Sequence, residues 1–351
     1  MIKIQQEIVK NNQRTEDIAS TYDHMIAVDW SKATMAIARL TPKSSTPKLV
    51  ECTADVGELR TYLQSLHGSR ILTIEETTTS QWLYMELHDS AERIIICDPF
   101  RNRLLSEGPK NDKIDAVKLC RLLKAGLLKE VFHTLEKDYR LRKIVSAYED
   151  VVKAGVRFLN QRSAWYRAEG KDVGMTIEGK EMKFVLDHLN EGIDWYDQSK
   201  EAYEGYFHQL SRSDKRIKHQ IAIPGIGVIG GVKIVATVID ARRFPNSGHY
   251  LSYCGLVKHQ KMSGGRNYGD RRPRFDSTLK SVYKTAALAA LRGDNPLRAY
   301  YDYQRSKGIE DHNARHGVAR KIAEISYAML KHGTAYQPYK WREQQKARKK
   351  Q

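Results

Sequence analysis

The sequence predicts an α/β domain followed by two mainly helical regions, and three observations support this fold class. Short β-type runs alternate with helical periods from Met25 to about Lys129, two long amphipathic stretches extend to Leu210, and apolar helices follow Ile221. With 351 residues and a hydrophobic content of 41%, the chain is long enough for two or three domains. We divide it into an N-terminal extension (1–20), an α/β domain (21–130), a helical hairpin (131–212), a C-terminal domain (213–336) and a basic tail (337–351).

The α/β domain is predicted to contain a mixed sheet. Three strands spaced as hairpins come first, in HMIAVDWSK, TMAIARLT and PKLVECTA. Units of the βαβ type follow, made of the helix GELRTYLQSL, the strand RILTIEE, the helix SQWLYMELHDSA, the strand RIIICDP and the helix DKIDAVKLCRLLKAG. Open α/β sheets keep their sites at strand ends, where this chain has acidic residues.

The region between about Lys137 and Leu210 contains two long helical patterns. Apolar and aromatic residues recur every three to four positions on both sides of the break EGKDVGMTIEGK. This pattern predicts an antiparallel helical hairpin, and its aromatic stripe is more typical of a core or a coiled-coil seam than of a ligand site. We expect the hairpin to act as a spacer and a dimerisation element.

Positive charge is concentrated in the last part of the chain. Residues 1 to 211 contain 30 Lys and Arg against 32 Asp and Glu, whereas residues 212 to 351 contain 29 against 10. Such a segment neutralises a polyanion, so we predict a nucleic-acid partner and a basic tail that adds non-specific affinity. The alternative is a basic surface that serves only solubility.

The third region opens with IAIPGIGVIGGVKIVATVID, at residues 221 to 240. Gly225 and Gly227, which precede an apolar helix, have the form of a helix-hairpin-helix turn, in which small residues let backbone N–H groups approach a phosphate. A glycine-rich turn between two packed helices would have the same sequence pattern, so both interpretations stay open.

Four carboxylates of the first domain form a candidate metal site. Asp29 and Glu75 end predicted strands, and Asp112 and Asp115 lie three residues apart on one helical face. Four acids in one pocket repel one another unless a cation joins them, and oxygen ligands without His or Cys favour Mg²⁺ or Mn²⁺. In the alternative interpretation, Asp112 is a helix N-cap and Asp115 balances the helix dipole, which leaves Asp29 and Glu75 unexplained.

Ser263 is the second candidate for chemistry. It lies in KHQKMSGGRNYGDRRPR, which is predicted to be a mobile loop from Lys258 to Arg274. A serine hydroxyl needs activation before it attacks, and basic side chains that hold and polarise a phosphate would supply it. The residues alone favour a nucleic-acid-contacting loop in which the serine is incidental. The basic residues of this loop are Lys258, Lys261, Arg266, Arg271, Arg272 and Arg274.

Other features narrow the class of protein. The chain has no window of about 18 apolar residues and no apolar signal-peptide core, so we expect a cytoplasmic location. Its four cysteines are scattered without a C-x-x-C pair, which argues against a structural zinc site and a disulfide framework. A phosphate-binding G-x-x-x-x-G-K-[ST] loop is also absent, so no nucleoside triphosphate is expected to take part.

Several of these motifs occur together in one known family. AVDWSK, IEETTT and KNDKIDA resemble the first-strand, Glu and paired-Asp motifs of the DEDD transposases of insertion sequences, which are related to the pilin-gene DNA invertases. IPGIG, YCGL followed by KMSGG, and ARKIA are similar to the C-terminal motifs of that family, in the same order. The resemblance extends from about Ile26 to Gly333, and six motifs in the family order make it specific.

The resemblance implies roles for the candidate residues. Asp29, Glu75, Asp112 and Asp115 would be the Mg²⁺- or Mn²⁺-binding tetrad of an RNase H-like (RuvC-like) domain. Ser263 would be the nucleophile, linked covalently to DNA during strand exchange, and the adjacent Arg320 and Lys321 would clamp a phosphate. The composite site of the family would unite the tetrad of one subunit with the serine of another, which implies a dimer or a tetrameric synaptic complex.

The Glu motif departs from the family pattern. A glycine usually follows it, whereas this chain has Thr77, Thr78 and Thr79, so Glu75 and Glu76 both need consideration. Glu75 follows the predicted strand in phase, and we retain it as the candidate ligand.

We therefore expect a prokaryotic, nucleoid-associated site-specific recombinase that moves its own mobile element. Its expected partners are donor and target DNA and a structured guide RNA, since some members of the family are guided by a bridge RNA. Two alternatives stay open. One is a metal-dependent nuclease of the junction-resolving type, in which Ser263 is only a contact; the other is a non-catalytic nucleic-acid-binding protein whose acids are structural.

Overall fold

The structure, a computed structural model, describes residues 18–99, 111–134, 136–271 and 274–338. The chain divides into two compact units, Met1–Glu136 and Lys137–Gln351. The predicted helical hairpin and the predicted C-terminal domain lie together in the second unit. Most of the predicted N-terminal extension (1–20) and of the basic tail (337–351) lies outside the described residues.

The first unit contains a five-stranded sheet with the strand order β3-β2-β1-β4-β5. Its strands are β1 (His24–Trp30), β2 (Thr34–Leu40), β3 (Lys48–Thr53), β4 (Arg70–Glu75) and β5 (Arg93–Cys97). The first three strands form an antiparallel meander, whereas β4 is parallel to β1 and β5 is parallel to β4. The mixed sheet predicted from the sequence is therefore confirmed.

Helices cover both faces of this sheet. They are α1 (Ile18–Thr21), α2 (Val56–Gln64), α3 (Ser80–Leu87) and α4 (Asp112–Lys124). Because strand side chains alternate between faces, Met25 and Ala27 of β1 pack in one cluster with α4, and Ile26 and Val28 pack in another cluster with α2 and α3. The odd-numbered side chains of β1 therefore face α4, and this alternation fixes the face on which Asp29 lies.

The second unit begins with two long helices, α5 (Glu136–Ala168) and α6 (Lys180–Ser213). Their contacts run in opposite directions along the two helices. The Tyr148 hydroxyl donates to Glu204 Oε1 at 2.9 Å, and Arg162 Nη1 donates to Asn190 Oδ1 at 3.0 Å. The two helices thus form an antiparallel hairpin, whereas a coiled-coil geometry and a role in dimerisation stay predictions.

The remaining elements of the second unit are mainly helical. They are α7 (Lys215–Ile221), α8 (Val228–Val238), α9 (Ser247–Tyr253), β6 (His259–Ser263), β7 (Arg266–Arg271), α10 (Ser277–Ala290), α11 (Pro296–Ser306) and α12 (Asp311–His332). A buried chain of polar groups joins four of these helices. The Tyr250 hydroxyl contacts that of Tyr283, Tyr283 contacts Ser326 Oγ, and Ser326 donates to Gln220 Oε1. Because buried polar groups are costly without partners, this chain fixes how α7, α9, α10 and α12 pack.

The prediction of a loop from Lys258 to Arg274 is wrong for most of its length, because β6 and β7 form an antiparallel hairpin. Gly264 and Gly265 form its two-residue turn, with φ values of 54° and 76° that glycine adopts without strain. The described side chains at positions 260 to 270 are all exposed. With neither face buried, the sequence lacks the alternation of apolar and polar residues that indicates a strand.

Candidate functional site

Two acidic side chains lie at the carboxyl ends of neighbouring parallel strands of the first unit: Glu75 is the last residue of β4, and Asp29 is the last but one of β1. In the pairing of β1 with β4, Val28 lies opposite Ile74, so Asp29 and Glu75 occupy the next position on each strand. Glu75 shares its strand phase with Ile71, which packs in the cluster that contains α4. The two carboxylates therefore lie at one edge of the sheet, on the face that α4 covers.

Strand phase separates Glu75 from two other acids near the end of β4 and β5, Glu76 and Asp98. Glu76 comes one residue later, and its backbone N–H donates to Cys97 O on β5. Asp98, which follows β5 and is 6% exposed, is likewise one residue out of phase with Cys97, a member of the cluster around α4. The sheet thus favours Glu75 over Glu76. Asp98 also follows a strand, but its phase places it off the face that carries Asp29 and Glu75, so a strand-end position alone does not select the site residues.

Helix α4 contributes two further carboxylates in its first turn. Its N-cap is Asn111, whose side chain accepts a hydrogen bond from the Lys113 backbone N–H at 3.0 Å. The alternative interpretation of Asp112 as the N-cap is therefore wrong, and capping does not account for the Asp112 carboxylate. Asp115 follows one turn later, with its Oδ1 at 3.7 Å from Lys118 Nζ.

The negative charges of these residues act together on Asp29. Burial, and then the charges of Asp112, Glu75 and Asp115, raise the pKa of Asp29 to about 6. Asp115 Oδ1 is buried and accepts no hydrogen bond from the described residues. A carboxylate that resists ionisation and a buried oxygen without a donor are both relieved by a cation. Within the described ranges, however, no three His, Cys, Asp or Glu side chains form a ready metal-binding group.

Ser263 is the last residue of β6 and lies beside the glycine turn of the hairpin. Its side chain is exposed, as are those of its neighbours Lys261 and Arg266, and neither cation forms an ion pair with another described residue. Lys258, at the base of the hairpin, pairs with Asp270 at 3.2 Å. The structure therefore presents Ser263 between two available cations. Of the other predicted basic residues, Arg274 is exposed, whereas Arg272 and the side chain of Arg271 lie outside the described residues.

The turn between α7 and α8 contains two glycines with different surroundings. A Cβ at Gly225 would lie 2.1 Å from Ala286 O of α10, and its φ is 90°, so this glycine is needed for helix packing. Gly227 is the N-cap of α8, and a Cβ there would meet no described atom within 4 Å. Gly227 is therefore exposed enough for a phosphate to approach its backbone, whereas the conformation of Gly225 is required for packing against α10.

Arg320 and Lys321 lie next to each other on α12 but face different neighbours. The charge of Arg320 acts on His316, one turn earlier, where it contributes to a lowered pKa. Lys321 Nζ lies 3.5 Å from Glu324 Oε2. Adjacent helical residues point in different directions, and a shared contact of the two cations with one phosphate stays a prediction.

Further basic residues beside the hairpin were missed by the sequence-based prediction. Lys280 and Lys284 lie one turn apart on α10, Arg315 lies on α12, and all three line one cavity together with Lys258. Their signal in the sequence is the four-residue spacing of Lys280 and Lys284, which places two positive charges on one helical face.

Part of the second unit matches a known family. Residues 221–302, a range that includes Gly225, Gly227 and Ser263, match the family described as Transposase IS116/IS110/IS902 family. The chain is 29% identical to the uncharacterised 43.6 kDa protein of insertion element IS110 from Streptomyces coelicolor, over 44% of the chain and 39% of that protein. It is also 29% identical to the uncharacterised 44.8 kDa protein of insertion element IS116 from Streptomyces clavuligerus, over 36% of the chain and 32% of that protein.

A third relative is a protein of Pseudomonas aeruginosa named "Probable family 20 transposase", 30% identical over 36% of the chain and 39% of that protein. The predicted resemblance to insertion-sequence transposases is therefore confirmed. The chain spans between about a third and two fifths of the length of these curated relatives. None of the helices in the described part of the chain is long and apolar enough to cross a membrane.

Proposed function

We propose that this chain, which is related to the insertion-sequence transposases, is a recombinase that cuts and rejoins DNA to move a mobile element. The observation that carries the proposal is the joint action of three acidic charges on Asp29 at the carboxyl edge of a buried sheet. Structural acids are usually separated or paired with cations, whereas like charges held together mark functional sites. The match of residues 221–302 to a transposase family supports the same function.

The first unit is proposed to be an RNase H-like (RuvC-like) domain. Its strand order, with an antiparallel meander followed by two parallel strands, supports this assignment. The side chains of Asp29, Glu75, Asp112 and Asp115 would hold Mg²⁺ or Mn²⁺, because their hard carboxylate oxygens suit these ions. When bound, such an ion neutralises charge on the phosphate that reacts.

The four carboxylates do not form a preformed metal site, and their side chains would move towards the ion when it binds. Asp29 would lose the proton that its raised pKa favours, and Asp115 Oδ1, which is buried without a hydrogen bond and 3.7 Å from Lys118 Nζ, would gain a closer cation. Asp112 and Asp115 are held in register by one helical turn, whereas Asp29 and Glu75 are held by the pairing of β1 with β4. The rigid sheet and helix fix the acids relative to a bound phosphate.

Ser263 is proposed to be the nucleophile. Its Oγ would form a bond to phosphorus while the bond from phosphorus to one deoxyribose oxygen breaks, and the proton of the serine would pass to that leaving oxygen. Lys261 and Arg266 would hold the phosphate and stabilise the charge that develops on it. Because the phosphoserine link conserves the energy of the broken bond, rejoining the strands would require no nucleoside triphosphate.

The proposed partners are double-stranded DNA, a structured guide RNA and a second copy of the chain. Net positive charge in residues 212 to 351 supports the nucleic-acid partners, and a guide RNA would leave the protein to read mainly backbone and shape. Val156, Trp195 and Tyr206 are large apolar residues exposed on the helical hairpin, which supports a dimer or tetramer formed through it. The tetrad of one subunit would then act with Ser263 of another.

A covalent-adduct assay tests the proposed chemistry. A plasmid that carries the gene with its flanking DNA is incubated with protein and Mg²⁺, and protein–DNA adducts are resolved under denaturing conditions. Ser263→Ala is expected to abolish the adduct and recombination, because the attacking oxygen is removed. Ser306→Ala removes another exposed hydroxyl of the second unit, and we expect it to retain both activities.

Undiminished strand cleavage by Ser263→Ala would overturn the serine mechanism. That result would favour a metal-dependent nuclease, since the acidic cluster alone would then hydrolyse the strand.

A further inference from the structure

A cavity of about 570 Å³ lies in the second unit, beside the base of the β6–β7 hairpin. We call it the basic pocket and define it by Lys258, Phe275, Lys280, Lys284, Leu288 and Arg315, which line it. Its size falls in the range of roughly 300–1,000 Å³ that is typical of sites for small organic groups. It is distinct from Ser263, which lies at the other end of strand β6.

The charged side chains that line the basic pocket are all basic or His, within the described residues. Lys284 is exposed and forms no ion pair with another described residue, so its charge is available to a ligand. Lys258 and Arg315 are each paired with one acid outside the pocket, Asp270 at 3.2 Å and Asp311 at 2.8 Å. The pocket therefore favours an anionic ligand.

The pocket also has an apolar wall. Leu288 is 48% exposed although it lies beside buried residues of α10. Lys280 Nζ lies over the Phe275 ring, 4.2 Å from the ring centre. The ring lies against the backbone at Gly255, where a Cβ would approach it to 2.6 Å. Because Lys280 covers one face of the ring, Leu288 is the exposed apolar side chain of this wall. An apolar surface next to several cations matches one nucleotide, whose base packs against the surface while its phosphates meet the charges.

His316 adds a hydrogen-bonding group to this wall. Its Nε2 contacts Leu256 O at 3.0 Å, so Nε2 carries the proton and Nδ1 is an acceptor. Burial lowers the pKa of His316, and the charges of Arg320, Lys284 and Lys280 act in the same direction, so the ring is neutral at neutral pH. Such an acceptor suits an exocyclic amino group of a base.

We propose that the basic pocket binds a single unpaired nucleotide of a nucleic-acid strand. The base lies against Leu288, beside Phe275, and the two flanking phosphates contact Lys280 and Lys284. Paired bases of a duplex are stacked inside the helix and do not enter such a cavity, so the ligand is a bulged, looped or displaced nucleotide. The inference rests on the proposed function in that it takes nucleic acid as the substrate, but it does not depend on Ser263.

The probe is a short duplex with one unpaired adenosine, compared with the same duplex carrying an abasic residue at that position. Both are made as RNA and as DNA, so that the two arms distinguish a guide RNA from a DNA strand as the source. The full chain with Ser263→Ala is used, because it cannot cut the probe if the serine attacks. We expect about tenfold tighter binding of the unpaired adenosine than of the abasic residue, in at least one arm.

Two pocket variants separate the base from the phosphate contacts. Leu288→Ser is expected to reduce the preference for adenosine over the abasic residue to about twofold or less, and Leu127→Ser, at a similarly exposed leucine of the first unit, should leave it unchanged. Lys284→Ala is expected to weaken binding of both probes about threefold. Lys183→Ala removes the same charge from the helical hairpin and should have less effect.

A photoreactive base locates the site directly. With 4-thiouridine as the unpaired residue, crosslinks are expected in peptides that contain Phe275, Leu288 or Arg315. Equal affinity for the base and the abasic residue, or crosslinks confined to the β6–β7 hairpin, would overturn the inference. Failure of the proposed recombinase would instead appear as no adduct with the wild-type chain, or as undiminished cleavage by Ser263→Ala, with the base preference intact.

Discussion

The candidate acids of the first unit lie at the edge of a buried sheet, whereas the candidate cations and Ser263 of the second unit lie on an exposed hairpin and on helix surfaces. In the first unit, burial raises the cost of each charge, and the acids act on one another. In the second unit, Lys261 and Arg266 are exposed, so solvent and salt screen their charges and these act nearly independently. Charged residues thus form a coupled site in the first unit and a surface of nearly independent charges in the second.

This difference predicts how mutations behave. A coupled site loses its activity when one member is removed, so the effects of single mutations on activity are not additive. A surface of separate cations loses affinity in small, nearly independent steps. The predictions below test this contrast, beginning with the largest effect.

Asp29→Asn is expected to have the largest effect. It removes the central carboxylate, and DNA strand cleavage should fall roughly 10³-fold, which corresponds to about 4 kcal/mol of transition-state stabilisation. The melting temperature should not fall, because the change removes one of several repelling charges. Cleavage of a labelled duplex in Mg²⁺ and thermal unfolding provide the two measurements.

Asp89→Asn is the matched control, since the Asp89 side chain is 86% exposed and lies away from the sheet edge. It should cleave at the wild-type rate. A wild-type rate for Asp29→Asn as well would contradict a shared role of the four acids.

The contrast between the two units also explains what the sequence could predict. Strands β1 and β4 are short apolar runs that end in an acid, so their buried sheet and the positions of Asp29 and Glu75 were predictable from alternation and strand ends. The pairing of β1 with β4, which joins these two acids, depends on contacts between residues far apart in the sequence. Spacing along the chain does not contain that information.

The hairpin around Ser263 shows the opposite case. Its strands have exposed side chains on both faces, so no hydrophobic pattern marks them, and Gly264 with Gly265 was compatible with a loop or a turn. The cap of α4 was also missed, because Asn111 and Asp112 are both good N-cap residues and only backbone geometry separates them. Local propensity could not resolve either choice.

The turn between α7 and α8 contains two glycines two positions apart. Gly225 packs against α10, whereas a Cβ at Gly227 would meet no described atom, so the turn tests the contrast between packed and exposed positions. Gly225→Ala is expected to lower the free energy of unfolding by about 3 kcal/mol, because the new Cβ meets Ala286 O and the backbone is left-handed. Gly227→Ala should cost only about 0.5 kcal/mol. Urea unfolding of both variants measures the difference, and equal losses would contradict the assignment of Gly225 to packing.

The pH dependence of stability tests the coupling at Asp29. Its pKa is about 6 in the folded protein and about 3.9 in an unfolded chain, so the folded state binds more protons between these values. The free energy of unfolding should therefore decrease as the pH rises from about 4 to about 6, by roughly 1 kcal/mol after allowance for solvent screening. Urea unfolding without divalent metal should show this decrease in the wild type and not in Asp29→Asn; parallel profiles would contradict it.

Single cations of the β6–β7 hairpin should have the smallest effects. Lys261→Ala is expected to weaken DNA binding about threefold and to reduce the slope of log affinity against log salt by about one, because one phosphate contact is lost. Arg266→Ala should do the same, and since neither cation pairs with another described residue, the double variant should show the product of the two effects. Lys183→Ala is the control for net charge.

Asp112→Asn combined with Asp115→Asn should, in contrast, cleave DNA no more slowly than the slower single variant, because either loss already disables the coupled site. Multiplicative losses among the acids, or a non-additive loss among the hairpin cations, would mean that burial does not separate the two kinds of site.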